Sequence, residues 1–200
     1  MTQPSFRLLT TLKLTLTCSL LASLIATPLS FAQPQKEDMA QLQTQAKILV
    51  QKFSGELKPQ LKKALQTGGP LQAIEVCATS APEIARTLSQ VTGWDIKRVS
   101  LQPRNDESAR PDTWEHNVLQ DFNQRQQDGE AVVEINYSEQ IDGRFRFMQA
   151  QAVEPICLAC HGQHLSPEVE QSLKKYYPKD QATGYSLGQI RGAFSLSKPL

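Results

Sequence analysis

The chain has 200 residues, with 21 Lys and Arg against 20 Asp and Glu, three His and four Cys. A formal net charge of +1, which falls to about −1 without the basic residues Arg7 and Lys13 of the N-terminal segment, argues against nucleic acid as a partner, since phosphate recognition needs a basic patch. There is no internal repeat and no low-complexity segment, and only one apolar run, near the N-terminus, resembles a targeting or membrane signal.

Residues 1–32 read as a cleavable signal peptide. Arg7 and Lys13 supply its positive region, Leu14 to Ile25 its apolar region, and Ser30-Phe31-Ala32 the small residues at the cleavage position. Thr15-Leu16-Thr17 ahead of Cys18 is a poor lipoprotein box, and the apolar run is short for a membrane anchor. The mature chain is therefore expected to start at Gln33 in the bacterial periplasm. Its length suits one domain that buries about 70 % of its unfolded surface.

From Lys36, the apolar residues Met39, Leu42, Ala46, Leu49, Val50, Phe53 and Leu57 recur at helical spacing. Pro59 lacks an amide donor and should kink or break this helix. Leu61 and Leu65 carry its face on until Gly68-Gly69 stops it. Residues 33–69 thus form an amphipathic helix, ready to pack on the domain or on its copy in a homodimer. Pro70 opens a second helix in the first-turn position, with Leu71, Ile74, Cys77 and Ala78 along one face. Ser80, Pro82 and Glu83 read as a capping box that starts a third, ending at Gly93.

Trp94 to Leu101 is a strand by composition, and Gln102 to Pro111 a polar loop holding Arg104 and Arg110. Asp112 caps a helix that presents Trp114, Val118, Leu119 and Phe122 and closes at Asp128-Gly129. Ala131 to Tyr137 alternates as a strand with Val133, Ile135 and Tyr137 on one face. Asp142-Gly143 is a hairpin turn into Arg144 to Val153, where Phe145 and Phe147 share a face and Met148 points away. Ser166 caps a helix from Pro167 to about Tyr177, and Ile190 to Leu196 is the last strand. Four antiparallel strands with helices to one side make an α+β domain over residues 70–200.

The chemistry centres on Cys157-Leu158-Ala159-Cys160-His161. Two cysteines at this spacing followed by histidine form the attachment sequence for one c-type haem. Both thiols add to the vinyl groups on one porphyrin edge, which carries His161 under the iron as an axial ligand. A zinc knuckle would need a fourth ligand, for which only the cramped His164 is near, and a thioredoxin-type pair is the third reading. The oxidising compartment, where c-type haem is attached, favours the first.

A sixth iron position then needs a ligand. His164 lies on the proximal side, His116 falls off the apolar stripe of its helix, and Met39 is near the mature terminus. Met148 could face a pocket from its strand. Cys77 is left without a disulfide partner once Cys157 and Cys160 are in thioethers, although a free cysteine is commonly a small buried hydrophobe. Arg98 and Arg104 could neutralise the haem propionates, with Arg144, Arg146 and Arg191 as rivals.

Three blocks carry a resemblance. They are Ala73-Ile74-Glu75-Val76-Cys77 with Ala81-Pro82-Glu83-Ile84-Ala85; Arg98-Val99-Ser100-Leu101 with Pro103-Arg104-Asn105, Pro111-Asp112 and Trp114-Glu115; and Cys157 to Gly162 with Tyr177-Pro178, Asp180, Ala182-Thr183-Gly184-Tyr185 and Gly188 to Ala193. Over about residues 70–198 the chain resembles the c-type haem proteins with a PAS-like fold and His/Cys axial ligation, a domain that also serves as an extracytoplasmic sensor module. The resemblance implies that Cys77 is the sixth ligand.

Thiolate stabilises ferric over ferrous iron, so such a haem should have a low reduction potential. Six-coordination and the lack of any carboxylate–histidine pair speak against an enzyme. The expected function is a periplasmic redox or gas sensor, in which reduction releases Cys77 and the open site takes CO or NO. A low-potential electron-transfer cytochrome is the alternative. No kinase or cyclase segment follows the last strand, so a separate redox or signalling partner is expected, reached through the helix at Lys36–Leu57.

Overall fold

Alternation along β3 (Arg144–Ala152) and β4 (Ile190–Pro199) sends successive side chains into two different apolar layers. In this computed structural model, which describes residues 38–200, these central strands are flanked by β1 (Asp95–Val99) and β2 (Asn136–Ile141). The sheet is antiparallel throughout, in the order β1-β4-β3-β2. The signal peptide expected over 1–32 lies outside the described residues.

Ile96, Phe145, Phe147, Phe194 and Leu196 form one face, and α1 (Met39–Thr92) covers it with Leu42, Ala46, Leu49, Phe53, Leu57, Ala81, Ile84 and Leu88. Phe53 meets Phe194 edge-on at 5.2 Å, and Trp94 meets Phe145 at 5.8 Å. The other face carries Val99, Met148, Ala150 and Ala193 and takes Val118, Leu119 and Phe122 of α2 (Thr113–Gln127). Helices therefore cover both faces, not one. An expectation of helices to one side fails because β3 and β4 are apolar on both sides, and each side needs cover.

Within α1 only Gly69 leaves helical geometry, at φ 65° and ψ −161°. The break divides α1 into two arms. Leu57 and Ala81 stand equally far from Gly69 in sequence and share one core cluster, so the second arm returns along the first. Leu42, Ala46, Leu49, Phe53 and Leu57 of the first arm are thus buried within the chain, while Leu61 and Leu65 farther along the same arm line a cavity.

Gly68-Gly69 stops the helix and Pro70 restarts it, as the composition implies. Pro59 and Pro82 do not interrupt it, and no helix begins at Ser80. A proline removes one backbone hydrogen bond, but here Leu57, Ala81, Ile84 and Leu88 are buried on either side of the prolines and packing holds the helix through them. Glu83 pairs with Arg86 instead of capping.

Strand β2 begins five residues later than its alternation suggests. Residues 131–135 form turns, with Glu134 N–H bonded to the Ala131 carbonyl at 2.8 Å. Ile135 is fully buried while Val133 is 72 % exposed, so the alternation there is not a sheet face. Pairing with β3 fixes the strand at 136–141 instead. The hairpin turn at Asp142-Gly143 is as expected, both residues having positive φ. Asp112 and Glu115 form the reciprocal cap of α2.

After β3 come a 3₁₀ turn (Pro155–Cys157), the single-turn α3 (Leu158–His161) and α4 (Pro167–Tyr176). Val169, Leu173 and Tyr177 pack on Ile74 of the second arm of α1. No described helix is long and apolar enough to cross a membrane.

Candidate haem site

A cavity of about 640 Å³ opens between α1, the α1-facing side of the sheet and α3. That size falls within the ~300–1,000 Å³ usual for small-molecule and cofactor sites. Phe53, Leu57, Ile74, Ala78, Ala81 and Phe194 make its apolar walls. Cys77 from the second arm of α1, and Cys157, Cys160 and His161 from the turn after β3, all line it. The three cysteines are free thiols.

The other candidates for a second axial ligand lie elsewhere. Met148 is fully buried in the opposite layer, under α2. His116 and His164 are exposed, and Met39 is 38 % exposed at the start of α1. Cys77 is thus the one of the five that faces the cavity. It does so because Gly69 turns the second arm back over the sheet.

Burial pushes the Cys77 thiol upward, with Arg98 and Arg104 pulling it back down. Cys160 is pushed up to about 11, chiefly by burial. Burial, then Arg191 and Arg104, hold the His161 imidazole well below its ordinary value near 6.5. It is therefore neutral at pH 7, the form that binds metals. Its Nδ1 lies 2.7 Å from the Ala182 carbonyl.

Three of the five candidate arginines line the cavity. The guanidinium of Arg98 stacks over the Phe53 ring at 5.3 Å and has no carboxylate partner among the described residues. Arg191 donates to Ser100 Oγ at 2.9 Å and to the Gln102 carbonyl at 3.2 Å. Arg104 is committed to protein groups: Asp180 at 3.2 Å, the Cys160 carbonyl at 2.5 Å and the Ala182 carbonyl at 3.0 Å. Arg144 pairs with Asp95, and Arg146 with Asp112 and Glu115, both away from the cavity.

These residues fit a c-type haem. Two thiols can form thioethers, and a neutral imidazole and a third thiol can ligate iron. Arg98, which has no carboxylate partner among the described residues, brings positive charge suited to a propionate, with Arg191 beside the same cavity but within reach of the Asp180 charge. A zinc site is less well served. It needs three or four protein ligands, and no cluster of three or more His, Cys, Asp or Glu gathers among the described residues. Sequence reasoning gave no role to Tyr177, Asp180 or the Ala182 carbonyl. Asp180 and Ala182 lie in a Gly-punctuated loop, and a main-chain carbonyl leaves no mark in a sequence.

Comparison with known proteins agrees with this architecture. The family described as Tll0287-like matches residues 32–199. The crystal structure of the cyanobacterial heme-protein Tll0287 aligns with a TM-score of 0.64 at 19 % identity, covering 82 % of this chain and 97 % of that one. At that identity the likeness establishes the fold. None of the curated proteins compared matches. The chain belongs to the Tll0287-like family.

Proposed function

We propose that this is a periplasmic haem protein that senses redox state or a diatomic gas, CO or NO. One haem c would be attached through Cys157 and Cys160, with His161 and Cys77 as axial ligands. The observation that carries the reading is the convergence of Cys77 with the Cys157–His161 turn on one cavity. The solved relative is described as a heme-protein, which supports the same cofactor. A bound haem would supply a one-electron Fe(III)/Fe(II) couple and one exchangeable coordination position.

The residues divide the remaining work. His161 Nε2 would stay bound in both oxidation states, its ring held from the Ala182 side. Cys77 Sγ would bind as thiolate, helped by Arg98 and Arg104, and would take up a proton when it leaves. Arg98, with no carboxylate of its own, would hold a propionate; Arg191 lines the same cavity, with Ser100 Oγ and the Gln102 carbonyl already accepting from it. Arg104 lines the cavity too, but its contacts tie it first to the protein.

A sensor also needs a route outward. Cys77 rides on the second arm of α1, and Lys58 of the first arm reaches Glu154, beside the attachment turn, at 2.5 Å. Movement at Cys77 would therefore be felt along α1, where a signalling partner or a second copy of the chain could read it. An electron carrier would instead keep both ligands in both states.

The test is the visible and near-infrared spectrum of the secreted full chain, ferric and then ferrous with CO, for wild type and Cys77→Ala. The expected result is a thiolate-to-iron charge-transfer band in the wild type that the variant lacks, and ready CO binding by the reduced wild type. Identical ferric spectra would remove Cys77 as ligand. Loss of the band in Cys77→Ala, with no CO uptake by the wild type, would favour a low-potential electron-transfer protein.

A further inference from the structure

The Ala182 carbonyl, beside the candidate site, is held by a nearly buried ion pair. Asp180 Oδ1 accepts from Ala182 N–H at 2.8 Å and from Arg104 Nε at 3.2 Å. Arg104 Nη2 turns back to the Ala182 carbonyl at 3.0 Å and to the Cys160 carbonyl at 2.5 Å. Arg104 and Asp180 side chains are each only 10 % exposed, and Ala182 is fully buried. One ion pair thus grips a single residue through both its N–H and its C=O, and grips the attachment turn as well.

The second lone pair of that carbonyl faces His161 Nδ1, at 2.7 Å. A carbonyl only accepts, so this contact requires the proton on Nδ1 and leaves the lone pair on Nε2. Arg191 Nε lies 3.0 Å from the same Nδ1, and a guanidinium only donates, so it suits the opposite tautomer. In that tautomer Nε2 carries the proton and cannot bind a metal. The Ala182 contact is shorter, and its acceptor is fixed in place.

We propose that Arg104 and Asp180 are positioning residues for His161: by clamping the Ala182 carbonyl they keep the imidazole proton on Nδ1 and turn Nε2 into the cavity. The inference rests on the haem reading for its consequence, and on the protein geometry alone for the tautomer. Partners of this kind, one bond behind the ligand, set ligand orientation and donor strength. A looser Ala182 carbonyl makes His161 a weaker donor, which favours the ferrous state.

The test uses the secreted full chain with Arg104→Lys and Asp180→Glu, each of which conserves charge while spoiling the fork. Two readouts are taken at equal covalent haem content by mass: exchange of the hyperfine-shifted His161 Nδ1–H in the ferric protein, and the reduction potential. Exchange should be at least about fivefold faster, the factor that one ordinary hydrogen bond carries, and the potential should rise. Wild-type exchange and potential in both variants would overturn the proposal. Should one variant fail to fold, the other decides. Should both fail, the wild type decides: a protected Nδ1–H supports the clamp and immediate exchange overturns it. A wild type without covalent haem would refute the haem reading instead. Ring ¹⁵N shifts would then show the tautomer directly, Nδ1–H supporting the clamp and Nε2–H overturning it.

Discussion

Two glycines of α1 predict stability changes of opposite sign. Gly69 sits at φ 65° and ψ −161°, a region that is almost exclusively glycine's. Nothing lies within 4 Å of a Cβ built there, so Gly69→Ala meets no steric clash and its whole cost is backbone strain. That cost is about 1–3 kcal/mol. Gly55 lies in regular helix, exposed, with the same open space around it. There an added methyl only restricts the unfolded chain and improves helix propensity, a gain of about 0.8–1.0 kcal/mol. For a domain of this size 1 kcal/mol moves the Tm by about 2–4 °C. Gly69→Ala should therefore melt about 2–12 °C below wild type and Gly55→Ala about 2–4 °C above it. Thermal unfolding followed by far-ultraviolet circular dichroism, on samples of equal cofactor content, measures both. If Gly69→Ala melts at or above wild type, the chain does not reverse at residue 69. The geometry that brings Cys77 to the cavity would fall with it.

Arg98→Leu should make the haem-loaded protein about 1.5–3 kcal/mol easier to unfold, the loss of a hydrogen bond to a charged group. Denaturant titration followed in the Soret band reads this, and an unchanged midpoint would remove Arg98 from the propionate role. At the N-terminus of α2, partial burial acts upward on Asp112, yet the Glu115 amide and the Arg146 guanidinium hold its carboxyl below the usual range. A lowered folded-state value gives stability that is present above the unfolded value near 3.9 and lost as pH falls through the folded one. Wild type should thus exceed Asp112→Asn in urea stability at pH 7, with the gap closing below about pH 4. A gap that stays constant down to pH 3 would show that the charge contributes nothing.

Much of the architecture is local and was legible. Phe145 and Phe147 alternate with Met148, and the structure sends them into opposite layers. Gly68-Gly69-Pro70 ends one helical arm and starts the next. Asp112 and Ser166 cap the helices they precede. Each of these depends on a residue and its near neighbours. The run at 131–135 misled because alternation is only a proxy for burial, and the ladder to β3 chose another register. Ser80-Pro82-Glu83 misled for a related reason. A local capping signal lost to the packing of Ala81, Ile84 and Leu88.

The sequence by itself determined the chemistry available: two thiols and an imidazole at a fixed spacing, and a further thiol at Cys77. Which other side chains would join them was decided only by tertiary structure. Cys77 stands 80 residues from Cys157 along the chain and reaches the same cavity because one glycine folds α1 back on itself. Five arginines look alike in sequence. Strand register and loop packing placed three of them in the cavity, paired one with Asp180, and left Arg98 without a carboxylate. Long-range burial makes these choices, and no short segment contains the information for them.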